Sequence, residues 1–170
     1  MAGQGGMHSV PQGEQHHQGP VTMLSQAVLL LTALLFGGMV LYSFGFASFL
    51  FSTLPADVAG PLLRRAFPHF YAFVIGCAFV GTALSAAIDM TSAVILGLIA
   101  VTALLARQIL MPAINGATDT GKRKRFAVLH TGSVLVTLAH IAGSAAVILR
   151  LSAELRWAAD QKTRRLSVGQ

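Results

Sequence analysis

The sequence predicts an all-α, polytopic membrane protein with four antiparallel transmembrane helices. The chain is 54% hydrophobic and only 11% charged, whereas a soluble domain carries about 25% charged residues. It contains four apolar runs, each long enough to cross a hydrocarbon core of roughly 30 Å. Almost all of its basic residues lie at the edges of those runs, where lipid headgroups are expected.

Composition divides the chain into three parts. Residues 1–25 are rich in Gly and Gln and show no periodicity, which predicts a disordered N-terminal segment. This segment has no Lys or Arg, so we expect no cleavable signal peptide. Residues 26–151 form the predicted four-helix transmembrane domain. Residues 152–170 form a basic amphipathic tail, which we expect to lie as a helix on the headgroups with Trp157 as an interfacial anchor.

Three short breaks separate the apolar runs, which cover residues 26–50, 67–88, 91–110 and 126–151. The first break holds two prolines and ends in Arg64 and Arg65. The second is a tight turn at residues 89–90, followed by Thr91 and Ser92 as ready helix N-caps. The third is a polar loop that ends in the basic cluster 122–125.

Four antiparallel spans place both chain ends on one side of the membrane and the first and third breaks on the other. Those two breaks carry six Lys or Arg residues against four in the tail. The positive-inside rule therefore favours cytoplasmic breaks, and we expect a multi-pass protein of the bacterial inner membrane.

The expected partners follow from charge and from small residues. The formal net charge of +6 predicts contact with anionic lipid headgroups. Nucleic acid is not expected, because no basic stripe is interleaved with aromatic residues. Cys77 and Gly81 have the spacing of helix-packing positions, which leaves a homo-oligomer or a partner in a membrane complex as open alternatives.

The fourth run carries a polar stripe. His130, Ser133, Thr137, His140 and Ser144 follow spacings of three and four residues, so they share one face of a helix. Exposing unpaired polar groups to hydrocarbon costs free energy, so this face is predicted to point into the bundle. The alternatives are hydrogen bonding between helices and a ligand site, since ionisable residues inside membranes are functional candidates.

Arg107, near the end of the third run, is the other costly residue. It either snorkels to the headgroups or points inward and pairs with a carbonyl or with an acid such as Asp57 or Asp119. Because the first and third breaks share a side, we expect the chemistry-bearing residues near them to converge at one end of the bundle. The predicted ligand-binding residues are His130, His140, Arg107, His69, Tyr71, Asn115, Ser133 and Thr137.

Three segments carry a family resemblance: "FASFLFSTLPADVAGPLLRRAFPHFY" at residues 46–71, "RQILMPAIN" at 107–115 and "FAVLHTGSVLV" at 126–136. In this order and spacing the chain resembles the domain-of-unknown-function 4149 family, which includes transmembrane protein 205. The resemblance covers about residues 27–150. It implies a four-helix integral membrane protein without an established reaction, and it hints at transport or metal handling.

Three functional hypotheses follow. The first is a protein that binds or transports a small ligand or metal ion within the bundle. The second is a haem or copper protein; His130 and His140 lie about 15 Å apart along one helix, so a single haem held by His69 and His130 is the geometry left open. The third is an accessory or assembly subunit. A classical enzyme is not expected, because the spans lack paired carboxylates and a Ser-His-Asp order. The cofactor, if any, stays unknown.

Overall fold

A computed structural model of the protein describes residues 15–168. These residues are helical apart from short breaks and include no strand, which confirms the all-α prediction. The elements in chain order are α1 (Gln15–Val40), a π-helical segment (Leu41–Phe46), α2 (Ala47–Thr53), α3 (Ala56–Ser85), α4 (Met90–Leu105), a second π-helical segment (Ala106–Leu110), α5 (Met111–Asp119) and α6 (Arg123–Val168).

The elements join end to end into four helices that are long and apolar enough to cross a membrane. We call them spans 1 to 4; they cover Val21–Thr53, Ala56–Ser85, Met90–Asp119 and Arg123–Ser167. Each contains at least 30 residues, or about 45 Å at 1.5 Å per residue, so the helix ends extend past a hydrocarbon core of roughly 30 Å.

Each break has its own local cause. Leu54 adopts an extended conformation before Pro55, as expected of a residue that precedes proline, and span 1 ends there. Gly121 takes a positive φ of 64° after α5, a conformation that favours glycine. At the second break the N-cap of α4 is Asp89, two to three residues earlier than the predicted caps, and its carboxylate accepts hydrogen bonds from the backbone N–H groups of Thr91 and Ser92.

The spans pack in a ring in which span 1 contacts spans 2 and 4, and span 3 also contacts both. Each contributes a narrow buried stripe to one core, whose central side chains include Leu35, Met39, Val74, Leu96 and Val147. The remaining faces carry large exposed apolar side chains such as Leu30, Phe79, Leu98 and Leu149. Apolar residues both inside and outside the bundle are what a hydrocarbon solvent requires.

Small residues allow spans 2 and 3 to approach closely. Ala78, Gly81 and Ser85 form a buried stripe on α3. A Cβ added at Gly81 would lie 3.0 Å from the Leu96 side chain of span 3. Gly81 therefore serves packing within the bundle, as the spacing of small residues allowed.

Asp89 joins the second break to span 4. Its carboxylate accepts two hydrogen bonds from the Arg150 guanidinium, at 2.8 and 3.1 Å. Its side chain is only 9% exposed. The Arg150 hydrogen bonds, together with those from Ser92 and Thr91, hold the pKa of Asp89 below its usual range despite burial.

The chain ends differ from the sequence-based expectation. Helix α1 begins at Gln15, within the segment predicted to be disordered, while residues 1–14 lie outside the described range. At the other end α6 continues unbroken to Val168, about 25 Å beyond Leu151. No Gly or Pro interrupts residues 144–168, and Asp160 pairs with Arg164 at 2.8 Å. The tail is thus a helical extension of span 4, with Trp157 exposed.

We expect Asp89→Ala to lower the free energy of unfolding by at least about 1 kcal/mol, because α4 loses its N-cap as well as the partner of Arg150. Asp89→Asn should cost less, since an amide oxygen still caps the helix. Thermal unfolding in mild detergent measures both. Asp160→Ala, which removes an exposed pair on the tail, is the control and should change little.

The same carboxylate predicts acid sensitivity. Because the folded-state pKa of Asp89 is depressed, its stabilising contribution is complete above the unfolded-state pKa of about 3.9 and is lost as pH falls through the folded-state value. Asp89→Asn should therefore weaken the dependence of the melting temperature on pH in this acidic window. An unchanged acid dependence in Asp89→Asn would assign it to other groups.

Candidate functional site

The polar stripe of span 4 turns inward over most of its length. His140 is 7% exposed and Ser144 is fully buried, and Ser133 and Thr137 are half-buried. Ala139 and Ala146, which the sequence places on the opposite side, are exposed. His130, at the start of the stripe, is exposed as well and does not join the interior.

His140 is hydrogen-bonded to a residue that the sequence analysis did not single out. Its Nε2 lies 2.7 Å from Oγ1 of Thr102 on span 3. The Thr102 hydroxyl has one proton and donates it to the Leu98 carbonyl at 2.6 Å, so the imidazole must donate through Nε2. Depth along the helices is the property that could have paired these residues from the sequence. Thr102 lies 13 positions after Asp89 and His140 lies 10 positions before Arg150, and Asp89 and Arg150 form an ion pair.

The other hydroxyls of the stripe also have partners. Tyr71 Oη of span 2 lies 3.5 Å from Ser133 Oγ. Thr137 donates to the Ser133 carbonyl at 3.0 Å, and Ser144 donates to the Ile141 carbonyl at 2.9 Å. The stripe thus consists of hydrogen bonds between helices and to its own backbone, and these leave few free donors for a ligand inside the bundle.

The two histidines near the first and third breaks lie apart. His130 stacks on Phe126 of its own helix, with ring centroids 5.4 Å apart. His69 is exposed, and its Nδ1 lies 3.4 Å from the Arg65 carbonyl, also on its own helix. Neither of these contacts joins the two rings. Across the described residues, no group of three or more His, Cys, Asp and Glu side chains could hold a metal ion.

Arg107 does not form either of the ion pairs considered for it. It is half-buried in the second π-helical segment, and the ion pairs among the described residues do not include it. Asp119 instead pairs with Arg64 at 2.9 Å, and Arg64 also donates to the Asn115 carbonyl at 3.4 Å. Snorkelling to the headgroups is the alternative that remains for Arg107.

A groove of about 460 Å³ lies between spans 1 and 2, close to the first break. We call it the aromatic groove; its lining residues are Gly38, Tyr42, Phe46, Ala66, His69, Phe70 and Phe73. Only His69 among them belongs to the predicted site. The groove is open on one side to the surroundings of the bundle.

Local structure builds the aromatic wall of this groove. The first π-helical segment places Tyr42 and Phe46 side by side, with ring centroids 5.3 Å apart. Tyr42 stacks on Phe70 of span 2 at 4.2 Å and 13°. Opposite, the Phe73 ring lies against Gly38 so closely that an added Cβ would lie 2.6 Å from it. These contacts fix both walls with rigid rings.

The Tyr42 hydroxyl is the anomaly of the site. Its oxygen is buried and has no hydrogen-bond partner, a condition it shares with only Ser85 Oγ among the buried side-chain polar atoms of the described residues. Buried polar groups are nearly always hydrogen-bonded, and an unpaired one costs about 1–3 kcal/mol. The sequence holds no signal for this hydroxyl, because pairing depends on what span 2 places around it.

Four membrane-length helices with apolar outer faces define the chain as a multi-pass integral membrane protein. The family model described as Domain of unknown function (DUF4149) matches residues 30–123, just over half of the chain, and the chain belongs to this family. The match includes the first two resembling segments and ends before the third. No curated protein and no solved structure gave a match.

The hydrogen bond between spans 3 and 4 can be tested by substitution. Thr102→Val keeps the side-chain shape but leaves the Nε2–H of His140 without an acceptor, so we expect a loss of about 1 kcal/mol of stability. Thr137→Val is the matched control, because the Thr137 hydroxyl bonds only its own helix. Melting temperatures in mild detergent measure both, and equal losses would show that the His140 contact adds nothing.

Proposed function

We propose that this protein binds an amphipathic molecule in the aromatic groove and takes it laterally from the bilayer. The observation that carries the proposal is the buried Tyr42 hydroxyl, which has no partner in an otherwise apolar wall. Because the oxygen itself is buried, a bound molecule would have to displace neighbouring side chains to supply the missing hydrogen bond.

The energetics favour a functional reason for this hydroxyl. Phe at position 42 would preserve the stacking on Phe70 and remove the cost of an unpaired polar group. The π-helical segment that carries Tyr42 adds to the argument, because π-bulges occur frequently at functional sites. Both features reduce the stability of the free protein and therefore fit a site that is completed by a ligand.

The shape and composition of the groove favour a ligand from the membrane. Its walls are aromatic rings with His69 as the polar side chain at the rim, a combination suited to an apolar body with a polar head. Binding within the polar stripe has less support, because the stripe hydroxyls already have partners. Transport, metal handling, a bacterial inner-membrane location and a role as a complex subunit remain predictions beyond this proposal.

Tyr42→Phe should raise the melting temperature of the delipidated protein, because it removes an unpaired buried hydroxyl worth about 1 kcal/mol or more. It should also reduce the amphiphile that copurifies in mild detergent, measured by mass spectrometry of extracts. Tyr71→Phe is the matched control, since its hydroxyl faces Ser133; it should not stabilise the protein and should retain the amphiphile. Equal retention in Tyr42→Phe would contradict the proposal.

Gly38→Ala should close the groove. The new Cβ would collide with the end of the Phe73 ring, which is a movable side chain and would swing into the groove. We expect less copurifying amphiphile with a melting temperature close to that of the wild type. Gly37→Ala is the matched control, because a Cβ there meets nothing within 4 Å. If both substitutions retain the amphiphile equally, the ligand lies elsewhere.

A further inference from the structure

The start of span 4 carries four consecutive basic residues that the protein does not neutralise. We call them the basic collar; they are Lys122, Arg123, Lys124 and Arg125. All four are exposed, and within the described part of the chain no acidic side chain pairs with any of them. Asp119, the nearest acid along the chain, is bound instead to Arg64 at 2.9 Å. The collar therefore presents its whole charge to the surroundings.

The basic tail at the other end of span 4 differs from the collar. Acidic residues lie among its cations, and one of them, Asp160, binds Arg164 at 2.8 Å. At the border of the tail, Arg150 binds Asp89 at 2.8 Å. Residues 120–153, which include the collar, contain no acidic residue. The two ends of the bundle therefore differ in uncompensated charge and not only in their number of basic residues.

The place of the collar in α6 makes its charge costly in the free protein. The helix begins at Arg123 and has no acidic residue in its first turn. The N-terminal end of a helix carries a partial positive charge, so additional cations there are unfavourable. The adjacent cations also repel one another. Anions from outside the protein would relieve both effects.

The collar surrounds the helix axis and does not converge on one point. Successive residues of a helix point about 100° apart, so the side chains from Arg123 to Arg125 lie on different sides of α6. One compact anion cannot contact all of them, whereas several anionic groups arranged around the helix can.

Exposed apolar side chains mark the depth of the collar. Phe126 and Val128 follow it directly and are exposed, and Leu149 is exposed beside Arg150 at the other end of the apolar run. Phe126 and Leu149 lie 23 positions apart, which is about 35 Å of helix. The hydrocarbon core measures roughly 30 Å, so these two residues lie at its opposite borders and the collar lies among the headgroups of one leaflet.

From these observations we infer that the basic collar is an interaction surface for anionic lipids, whose phosphates surround the start of α6. Each cation beside a membrane helix strengthens the attraction to an anionic leaflet by about five-fold. The depth of the collar favours lipid over an acidic protein, because headgroups lie at this level around the whole helix. No collar residue lines the aromatic groove, so this inference does not depend on the function proposed for the groove.

Two single-tryptophan reporters can measure the lipid composition at the two borders. Both carry Trp157→Phe, which removes the one native tryptophan. The first adds Phe126→Trp next to the collar, and the second adds Leu149→Trp at the opposite border. The full-length protein is reconstituted in phosphatidylcholine bilayers that contain increasing amounts of brominated phosphatidylglycerol or, as the reference, brominated phosphatidylcholine. Quenching of each reporter gives the relative affinity of the two lipids at its border.

Two triple variants test which cations are responsible. The collar variant carries Arg123→Gln, Lys124→Gln and Arg125→Gln. The matched tail variant removes the same number of charges and carries Arg156→Gln, Arg164→Gln and Arg165→Gln. Each is made in both reporter backgrounds.

At low salt we expect the reporter at position 126 to show a preference for phosphatidylglycerol of about five-fold or more, and the reporter at position 149 to show a much smaller one. The collar variant should bring the preference at position 126 close to one, and the tail variant should leave it unchanged. In about 1 M salt, where the Debye length is roughly 3 Å, the preference should vanish without any substitution.

Equal preferences at the two borders, equal losses in the two triple variants, or a preference that persists in high salt would overturn the inference. Inorganic phosphate, compared with chloride at the same ionic strength, should not reduce the preference at position 126. If it does, the collar binds free phosphate and the assignment to lipid is wrong. If that reporter shows no preference for phosphatidylglycerol but responds to soluble polyglutamate, the partner is an acidic protein and the inference falls.

Discussion

Hydrocarbon offers no hydrogen bonds, and this constraint organises the whole bundle. Every polar group between the two headgroup levels must find its partner inside the protein. The chain meets this requirement with pairs that each join two helices: Arg150 binds the carboxylate at the start of span 3, and His140 donates to Thr102. Because apolar packing discriminates poorly between protein and lipid, such pairs fix which helix faces which.

Against this background the Tyr42 hydroxyl stands out. It lies at the place where a π-helical segment, a glycine and a cluster of aromatic rings meet. Each of these features reduces the regularity of span 1 at one point. Natural sequences depart from local consistency mainly at functional sites, and the coincidence of the three on one groove is the reason to place the function there.

The interior histidine takes part in a hydrogen bond between two helices. His140 lies near the middle of the apolar run 126–151, and its Nε2 contacts a threonine whose own proton goes to a carbonyl. This contact fits the hydrogen bonding between helices that the sequence analysis gave as one alternative. The exposed histidines, His69 and His130, contact only their own helices in the recorded interactions.

Much of the fold could be read from residue order alone. The four apolar runs, the break at Pro55 and the inward face of Ser133, Thr137 and His140 follow from length and from the 3.6-residue period, which are local properties. The ends of the first and last helices were harder to predict from the sequence. The charged tail reads as a separate segment, but without a Gly or Pro nothing stops α6 from continuing, and α1 likewise begins earlier than its polar composition indicates.

The candidate site depended on the third dimension. Sequence gathered His69, Tyr71, Asn115, Arg107 and His130 at one end of the bundle because they share a depth, but depth does not determine the direction in which a side chain points. That direction is set by which helices are neighbours and how each is rotated, and the rotation changes across the two π-helical segments, which a periodic pattern does not reveal.

The sequence by itself thus determined the solvent, the number of spans and the polar face of span 4. Only the tertiary structure decided that Tyr42 lacks a partner, that Thr102 contacts His140 and that aromatic rings of spans 1 and 2 line one groove, because each of these depends on contacts between residues far apart in the chain.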